Sequence, residues 1–305
     1  MELNRRDFFK LSGAALVVGL PASPAVGLAL STPPDQLAIL YDSSKCIGCR
    51  ACQVACKRWN QLPPESENAE ILPVEAGDQG RLYDTPLGLS ADTWTLIKLK
   101  KNSDTDWHFM NYQCMHCTDA ACVSVCPTGA LFKDSRGFTG FDRAKCIGCG
   151  YCTQFCPYGV PHLQQVSVLT GQAKAAKCTF CQDRIQSGIG GPFCATTCPV
   201  GALIWGPAEQ LLTQAKSRVT ELHEQGVTTA ELYGEVEAAG LRRLTILLGK
   251  PEEYRLPTSL PSLTMSWVWQ NIIQVLGAIA IVGTTLAAFV AFLVSRSNIN
   301  MEDVE

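Results

Sequence analysis

The sixteen cysteines of this chain fall into four groups of four, and their spacing limits the chemistry that they can support. The third group, CIGCGYCTQFCP, is the run C-x2-C-x2-C-x3-C-P, in which cysteine thiolates hold [4Fe-4S] cubanes. In such a run three cysteines surround one cluster and the fourth reaches the neighbouring cluster. Sixteen ligands in four groups therefore predict four [4Fe-4S] clusters. The predicted metal ligands are Cys46, Cys49, Cys52, Cys56, Cys114, Cys117, Cys122, Cys126, Cys146, Cys149, Cys152, Cys156, Cys178, Cys181, Cys194 and Cys198.

Two other uses of clustered cysteines fit this spacing less well. A C-x2-C pair alone is typical of zinc, but a third cysteine soon afterwards and a final Cys-Pro are poor zinc geometry. An even number of cysteines in an exported chain also suits disulfides. Disulfides usually close long loops between distant segments, whereas these cysteines are crowded into short local groups. The pattern favours iron–sulfur binding over a zinc-stabilised scaffold or a disulfide framework.

The order of the groups predicts an α+β fold of two ferredoxin-like two-cluster modules, one inserted in the other. Groups two and three are separated by 19 residues, with short strand signals at 130–133 and 137–141 around a turn. They form one module, and groups one and four form the second. Exchange of the fourth ligand then defines four crossed sets: Cys46, Cys49 and Cys52 with Cys198; Cys178, Cys181 and Cys194 with Cys56; Cys114, Cys117 and Cys122 with Cys156; and Cys146, Cys149 and Cys152 with Cys126.

The segments around the cysteines supply the elements that position them. Residues 57–113 form an insert that ends in strand-like TWTLIKLK (93–100) and WHFMNY (107–112). A helical pattern begins at Pro207, a second helix is predicted around 230–239, and LTILLG (244–249) is strand-like. We interpret both the insert and the region after Pro207 as packing and partner-contact segments.

Proline follows the fourth cysteine in three groups and stops the helix there; these prolines are Pro127, Pro157 and Pro199. Lys57 follows Cys56 instead, so the first helix is expected to continue through Trp59. Group four has twelve residues between Cys181 and Cys194, and these residues, which include Gly188, Gly190, Gly191 and Pro192, predict a surface loop and a docking contact.

Four polar residues beside the cysteines are candidates for influencing a cluster. Lys45, Lys145 and Lys177 each precede the first cysteine of a group, where a cation raises the reduction potential of a cubane; the alternative is an ordinary solvated lysine. His116 lies between Cys114 and Cys117, and we expect it to donate a hydrogen bond to sulfur. It is not expected to be a ligand, because the cysteines already complete the set.

Composition excludes several classes of function. The formal charge is −3, and four oxidised clusters with thiolate ligands add roughly −8, so the loaded protein carries about −11. That balance disfavours nucleic acid as a partner. No nucleotide-binding fingerprint or hydrolytic constellation is present, and the chain has only four histidines.

The N-terminus predicts export. Arg5 and Arg6 are followed by two phenylalanines, a lysine and the apolar stretch 11–20, as in a twin-arginine (Tat) signal peptide. The alternative is an amphipathic anchor helix. The Tat route carries folded proteins, which suits a chain that must receive clusters before it is exported.

The C-terminus predicts one membrane span. Residues 272–294 are uncharged and reach roughly 35 Å as a helix, enough to cross a bilayer. Trp267 and Trp269 lie where an aromatic belt is expected, and Arg296 follows the span. Gly283, Ala287 and Ala291 form a small-residue stripe that favours contact with another membrane helix. With the cluster domain outside, the C-terminus is cytoplasmic.

The expected organisation has five parts. Residues 1–29 form the signal peptide, 30–206 the four-cluster domain, 207–262 an extension for partner contact, 263–295 the transmembrane helix and 296–305 a cytoplasmic tail.

The cysteine motifs resemble one family closely. CIGCRACQVACKRWNQLP, DTWTLIKLK, YQCMHCTDAACVSVCPTGAL, CIGCGYCTQFCPYGVP, KCTFCQDRI and CPVGAL look like the iron–sulfur (beta) subunit of membrane-bound respiratory formate dehydrogenases over residues 40–257. The resemblance implies a four-cluster subunit between a molybdenum or tungsten catalytic subunit and a membrane quinone-reducing or haem subunit. All sixteen ligand positions of the family are present.

One feature departs from that family. Its beta subunit commonly travels with a catalytic partner that bears the export signal, whereas this chain has its own leader and a C-terminal helix. That combination is more similar to the HybA-type electron-transfer subunit of membrane-bound uptake hydrogenases, whose catalytic partner is a nickel–iron subunit.

Either resemblance implies a non-catalytic electron-transfer subunit at the cell membrane, with its clusters on the periplasmic side. Another molybdopterin oxidoreductase is a further possible setting. A different hypothesis is a free-standing reductase that performs catalysis on one cluster. It requires an open coordination position, and the complete set of sixteen cysteines argues against it.

Overall fold

The computed structural model of the chain describes residues 36–64, 86–101, 107–167, 170–258, 268 and 272–297. The predicted leader, the residues Trp267 and Trp269, and most of the predicted tail lie outside the described residues. The strands are β1 Leu37–Asp42, β2 Thr95–Lys101, β3 Trp107–Gln113, β4 Leu131–Lys133, β5 Thr139–Phe141, β6 His162–Gln165, β7 Ala173–Ala176, β8 Leu203–Pro207, β9 Glu231–Tyr233 and β10 Arg243–Leu247. The helices are α1 Ala51–Asn60, α2 Ala121–Ser124, α3 Tyr151–Phe155, α4 Gln182–Gln186, α5 Phe193–Thr196, α6 Ala208–Glu224 and α7 Gln274–Ser297.

A four-stranded sheet joins the beginning of the described chain to its later segments. The strand order is β8-β1-β10-β9, with β1 parallel to β10 and antiparallel to β8. Ile39 of β1 is opposite Arg243 on one side and Trp205 on the other. This pairing brings the residues that precede group one next to those that follow group four.

The central strand β1 is buried on both faces, and successive side chains face different cores. Ala38 and Leu40 pack with Leu211 and other apolar residues of α6. Ile39 and Tyr41 point the other way, into a core that includes several of the cysteines. One face of the sheet is therefore closed by a helix, and the opposite face supports the cysteine groups.

Three two-stranded ladders hold the remaining groups. β2 pairs with β3, β4 with β5, and β6 with β7, all antiparallel. The strand signals at 93–100, 107–112, 130–133 and 137–141 are confirmed. The turn between β4 and β5 is closed by Asp134, whose Oδ1 accepts a hydrogen bond from the Arg136 N–H at 2.9 Å.

The helices that carry the cysteines are short, except for the first. α2, α3 and α5 have four or five residues, and each ends before a Cys-Pro pair, as the prolines predict. α1 has ten residues and continues through Lys57, Arg58 and Trp59 to Asn60, which confirms the expectation for a group without proline.

The segment after Pro207 is partly as predicted. α6 covers the first helical pattern, and β10 covers the strand-like LTILL. The second helix predicted around 230–239 is wrong, because this segment forms β9 and a 3-10 turn at Glu237–Ala239. Gly234 has φ +113, and its carbonyl accepts a hydrogen bond from the Leu241 N–H at 2.7 Å. That geometry places Tyr233 beside Thr245 of β10 instead of in a helix.

The C-terminal helix α7 contains a 23-residue apolar stretch, Gln274–Arg296, whose residues are all exposed. By length and composition it can cross a membrane. Its apolar side chains, such as Leu286 and Phe289, are exposed around the helix. Such a surface is stable in lipid and costly in water.

Candidate metal centres

The four C-x2-C turns share one backbone feature that the sequence does not show. The residue before the second cysteine has a positive φ in every group: 70° at Gly48, 47° at His116, 75° at Gly148 and 62° at Phe180. Left-handed backbone is easy for glycine and costly for a histidine or phenylalanine. This conformation curls each turn and directs N–H groups towards sulfur, as a cluster site requires.

The first set contains three cysteines of group one and the last cysteine of group four. Burial, together with the charges of Cys46, Cys198 and Cys49, raises the pKa of the Cys52 thiol to about 12. The pKa of Cys46 is likewise raised, by burial first and also by Cys198 and Cys49. Cys198 is held by the N–H of Leu203 in β8, which lies 3.4 Å from its sulfur. These are the four cysteines that the crossed assignment groups together.

The second set is the most deeply buried. Burial raises the pKa of Cys194, and the charges of Cys178, Cys181 and Cys56 raise it further. The N–H of Phe193 donates to the Cys181 sulfur at 3.5 Å, and the N–H of Phe180 donates to the Cys178 sulfur at 3.4 Å. Cys56 reaches this set from α1, and its pKa is raised by burial.

The third set forms around group two. Burial raises the pKa of Cys117, and the charges of Cys114, Cys122 and Cys156 add to the effect. Burial also raises the pKa of Cys156, although N–H groups of Val160, Tyr158 and Gly159 stabilise its thiolate. Cys156 comes from group three, as the exchange of fourth ligands predicts.

The fourth set lies around group three. Burial and the charges of Cys146, Cys149 and Cys126 raise the pKa of Cys152 to about 11. Burial raises the pKa of Cys126, but hydrogen bonds from the Leu131 and Thr128 region outweigh it and leave the pKa lowered overall. The N–H of Ala175 in β7 donates to the Cys146 sulfur at 3.3 Å. Cys149 is solvent-exposed, so this set reaches the surface.

The charges of thiolates in one set also act on thiolates of another set. Cys194 of the second set is coupled to Cys52 of the first. Cys178 of the second is coupled to Cys114 of the third, and Cys122 of the third to Cys152 of the fourth. These contributions connect the first set to the second, the second to the third and the third to the fourth. The second and third sets, built mainly on groups four and two, are therefore the two inner sets.

His116 connects the two inner sets and is buried with 0% exposure. Its Nδ1 accepts a hydrogen bond from the Thr139 N–H at 3.3 Å, so Nε2 carries the proton and donates to the Cys178 sulfur at 3.4 Å. Burial and the nearby charge of Lys177 lower its pKa and keep the ring neutral. The expected hydrogen bond to sulfur is confirmed, and its acceptor belongs to group four.

The three lysines that precede the groups differ in their surroundings. Lys45 and Lys145 are exposed and lie 3.8 Å and 3.5 Å from the carboxylates of Asp42 and Asp142. Lys177 is 1% exposed and donates to the carbonyls of Thr139 and Cys178 at 3.0 Å and 2.8 Å. Only Lys177 of these three is a buried cation beside a site.

The glycine-rich loop in group four is exposed in its first half and buried in its second. Ile189 is 61% exposed, whereas Gly191 is buried against the indole of Trp205. The Gly191 carbonyl accepts a hydrogen bond from Arg184 Nε at 2.9 Å. The predicted surface loop is therefore confirmed for 186–189 only.

The donor set fits iron–sulfur clusters. All sixteen cysteines are free, and each lies in a set of four that receives N–H or side-chain hydrogen bonds at sulfur. Across the described ranges, no three His, Cys, Asp or Glu side chains converge on a site for a single metal ion. A tetrahedral zinc site holds its sulfurs about 3.8 Å apart. A four-iron cubane is larger, and its thiolates stand further apart than that.

Comparison with known proteins agrees with this geometry. Residues 45–130 and 105–208 each match the family described as 4Fe-4S dicluster domain. The chain is 34% identical to a formate dehydrogenase iron-sulfur subunit of Haemophilus influenzae, over 88% of this chain and 84% of that protein. It is 32% identical to the nitrate-inducible formate dehydrogenase iron-sulfur subunit of Escherichia coli, over 90% of this chain and 92% of that one.

The chain belongs to this family of iron–sulfur subunits. The family includes the hydrogenase-2 operon protein HybA of Escherichia coli O157:H7, which is 32% identical over 82% of both chains. The resemblance found in the motifs is confirmed, and the subunit has an electron-transfer role. Clusters of the [4Fe-4S] type follow from the two dicluster matches.

Two site residues were not predicted from the sequence. Asn111 in β3 donates from Nδ2 to the Cys52 sulfur at 3.5 Å, and Arg243 in β10 contacts Asn111. Both are far from group one in the chain, and although Asn111 is three residues before Cys114, its contact is with Cys52. The one available signal was the arginine that begins the largely apolar run RLTILL.

Proposed function

We propose that the sixteen cysteines hold four [4Fe-4S] clusters in the crossed sets described above, in two ferredoxin-like modules of which one is inserted in the other. The observation that carries this proposal is the coupling of Cys198 to group one, of Cys56 to group four, of Cys156 to group two and of Cys126 to group three. In each case the fourth cysteine of the other group is among the strongest charges that act on the thiol, and the group's own fourth cysteine is not.

Each bound cluster takes up and releases one electron at a potential that its protein surroundings set. The chain contributes thiolates, hydrogen bonds to sulfur and burial that keeps water away from the inner sets. Clusters held in these neighbouring sets would let electrons pass from one set to the next, and the subunit would need no substrate site of its own. We assign the route first–second–third–fourth to the four sets.

The proposed setting is the outer face of the cell membrane. The leader at 1–29 directs export. α7 covers the second half of the expected segment 263–295, ends two residues beyond it and anchors the subunit, with the tail that follows in the cytoplasm. The four-cluster domain at 30–206 and the extension at 207–262 contact the partners. One partner is an exported catalytic subunit of the formate dehydrogenase type, and the other is an integral membrane subunit that reduces quinone or binds haem.

A hydrogenase is the second candidate setting. The relative HybA and the leader on this chain favour it. Purification of the tagged full-length protein from membranes separates the two, because a formate dehydrogenase partner brings molybdenum or tungsten and a hydrogenase partner brings nickel. Metal analysis of the copurified complex distinguishes them directly.

Iron content tests the cluster count. Anaerobically purified protein is expected to contain about sixteen iron atoms per chain. Four or fewer would refute the proposal.

Four serine variants test the crossed assignment. Cys126→Ser should alter the same electron paramagnetic resonance (EPR) signal as Cys152→Ser, and Cys156→Ser the same signal as Cys122→Ser. If Cys126→Ser instead affects the signal of Cys122→Ser, the sets are uncrossed. Cys152→Ser should interrupt electron delivery to quinone and leave membrane attachment intact.

A further inference from the structure

Arg243 is a fully buried cation whose hydrogen-bond partners are all neutral. Its side chain is 0% exposed and lies over the ring of Tyr41, 5.6 Å from the centroid. Nη2 donates to the backbone carbonyl and to Oδ1 of Asn111, both at 2.7 Å, and Nη1 lies 3.8 Å from Met115 Sδ. Nε has no hydrogen-bond partner in the part of the chain that the structure describes.

Burying a guanidinium without a counter-charge is strongly unfavourable. Burial lowers the pKa of Arg243 to about 10, and the negative charges that oppose this effect include those of Cys194, Cys178 and Cys52. Cys52 belongs to the first set, and the other two belong to the second. Cys52 and Cys194 lie in one core with Tyr41 and Met115, and Arg243 contacts both Tyr41 and Met115. The guanidinium therefore lies beside both sets, whose thiolates supply negative charge that opposes the cost of its burial.

Asn111 links Arg243 to one thiolate through two hydrogen bonds. Its Oδ1 accepts from Arg243, so its NH2 group is turned towards the Cys52 sulfur, 3.5 Å away. Asn111 is itself fully buried. The cation thus fixes the orientation of the amide and polarises the hydrogen bond that the amide donates to sulfur.

We propose that Arg243 is the fixed counter-charge of the first and second clusters and holds their reduction potentials above the values that these sites would otherwise give. Reduction adds one electron to a cluster and changes no covalent bond, so a nearby fixed cation favours the reduced form. Arg243 is a positioning residue that acts by its charge and through Asn111. This inference rests on the proposed function, because it requires clusters in both sets.

The neighbouring Arg242 provides a matched control. It is also buried, at 7% exposure, and its Nε also has no hydrogen-bond partner in the described residues. Burial alone lowers its pKa, and no cysteine contributes. The side chain of Arg242 lies instead beside Gly137, where a Cβ would be 2.8 Å from Arg242 Nε. Replacing Arg242 therefore removes a buried arginine but leaves the positive charge beside the first and second sets in place.

The test is a potentiometric titration of the full-length, cluster-loaded protein, followed by EPR. For a charge about 10 Å from a cluster and an effective dielectric constant of about 20, Coulomb's law gives roughly a 15-fold change in the one-electron equilibrium, or about 70 mV. Arg243→Met should lower the potentials of two clusters by about this amount, and Arg243→Lys and Arg242→Met should leave them in place.

A second variant carries the test if Arg243→Met does not fold. Asn111→Asp keeps the size of the side chain and the hydrogen bond from Arg243, and it neutralises the cation with a carboxylate. It should also lower the potentials of two clusters. Unchanged potentials in this variant, or an equal fall in all four clusters, would overturn the proposal.

Iron analysis of the unaltered protein separates the two levels of inference. If it contains about sixteen iron atoms per chain and the variants show no shift, the role of Arg243 is wrong and the proposed function stands. If the unaltered protein lacks the clusters, the proposed function itself fails.

Discussion

Replacing Gly148 by alanine tests how closely a strand is packed against a cluster-binding turn. Gly148 has φ +75, and a Cβ there would lie 2.2 Å from the backbone carbonyl oxygen of Ala173 at the start of β7. β7 is also tied to the turn by Lys174, which donates to the Cys146 carbonyl at 2.6 Å, and by the Ala175 N–H on the Cys146 sulfur. The strand cannot move away without breaking these contacts.

The expected cost is the sum of two effects. Left-handed backbone costs an alanine about 1–2 kcal/mol relative to glycine. Forcing a methyl group into a filled space adds about 1–3 kcal/mol. The variant should therefore lose about 2–5 kcal/mol, and with a guanidinium dependence of about 4 kcal/mol per molar the midpoint falls by about 1 M.

The assay is loss of visible cluster absorbance in guanidinium under argon, with iron content measured before the titration. Gly159→Ala is the control, because Gly159 has φ +61 and its Cβ would meet no atom within 4 Å. The control should lose only the backbone cost of about 1–2 kcal/mol. Equal midpoints for the two variants would refute the argument that β7 is packed on this turn.

Three further predictions concern other parts of the chain. Leu211→Ala in α6 should destabilise the protein by about 2–5 kcal/mol in guanidinium unfolding, because Leu211 is 5% exposed. The control Gln210→Ala, at an exposed position of the same helix, should change the free energy of unfolding by less than about 0.5 kcal/mol. In His116→Asn, the asparagine can adopt the left-handed backbone but cannot donate the hydrogen bond that His116 Nε2 gives to the Cys178 sulfur. The reduction potential of one cluster should therefore fall in a redox titration. Unchanged potentials in all four clusters would contradict that hydrogen bond. Deleting 272–297 should move the protein from the membrane fraction to the soluble fraction after cell disruption, and persistent sedimentation with membranes would show that α7 is not the anchor.

The local elements were predictable because their signals are local. The β4–β5 turn contains Asp134 and Gly137, and both act within a few residues of their own positions. The missing proline after Cys56 correctly predicted a longer α1. The crossed cysteine sets were also inferred from spacing, since the C-x3-C-P run itself indicates that the fourth cysteine belongs to a neighbouring site.

The features that were missed depend on contacts between distant residues. Nothing near Leu37 or Arg243 indicates that β1 and β10 lie side by side, because their pairing spans about two hundred residues. The helix predicted at 230–239 contains helix-forming alanines. Two of them, Ala238 and Ala239, adopt positive φ in the connection between β9 and β10, which is incompatible with an α-helix. Asn111 became recognisable as a site residue only once β3 lay against α1.

The placement of β8 beside β1 has a consequence for biogenesis. Ligands for the third and fourth sets are all present once the ribosome has passed Cys156, so iron can be installed there early. The first set is complete only after Cys198 has been synthesised, and the sulfur of Cys198 accepts a hydrogen bond from the N–H of Leu203 in β8. We therefore expect the third and fourth sets to mature first, with group one remaining without a cluster until nearly two-thirds of the polypeptide exists.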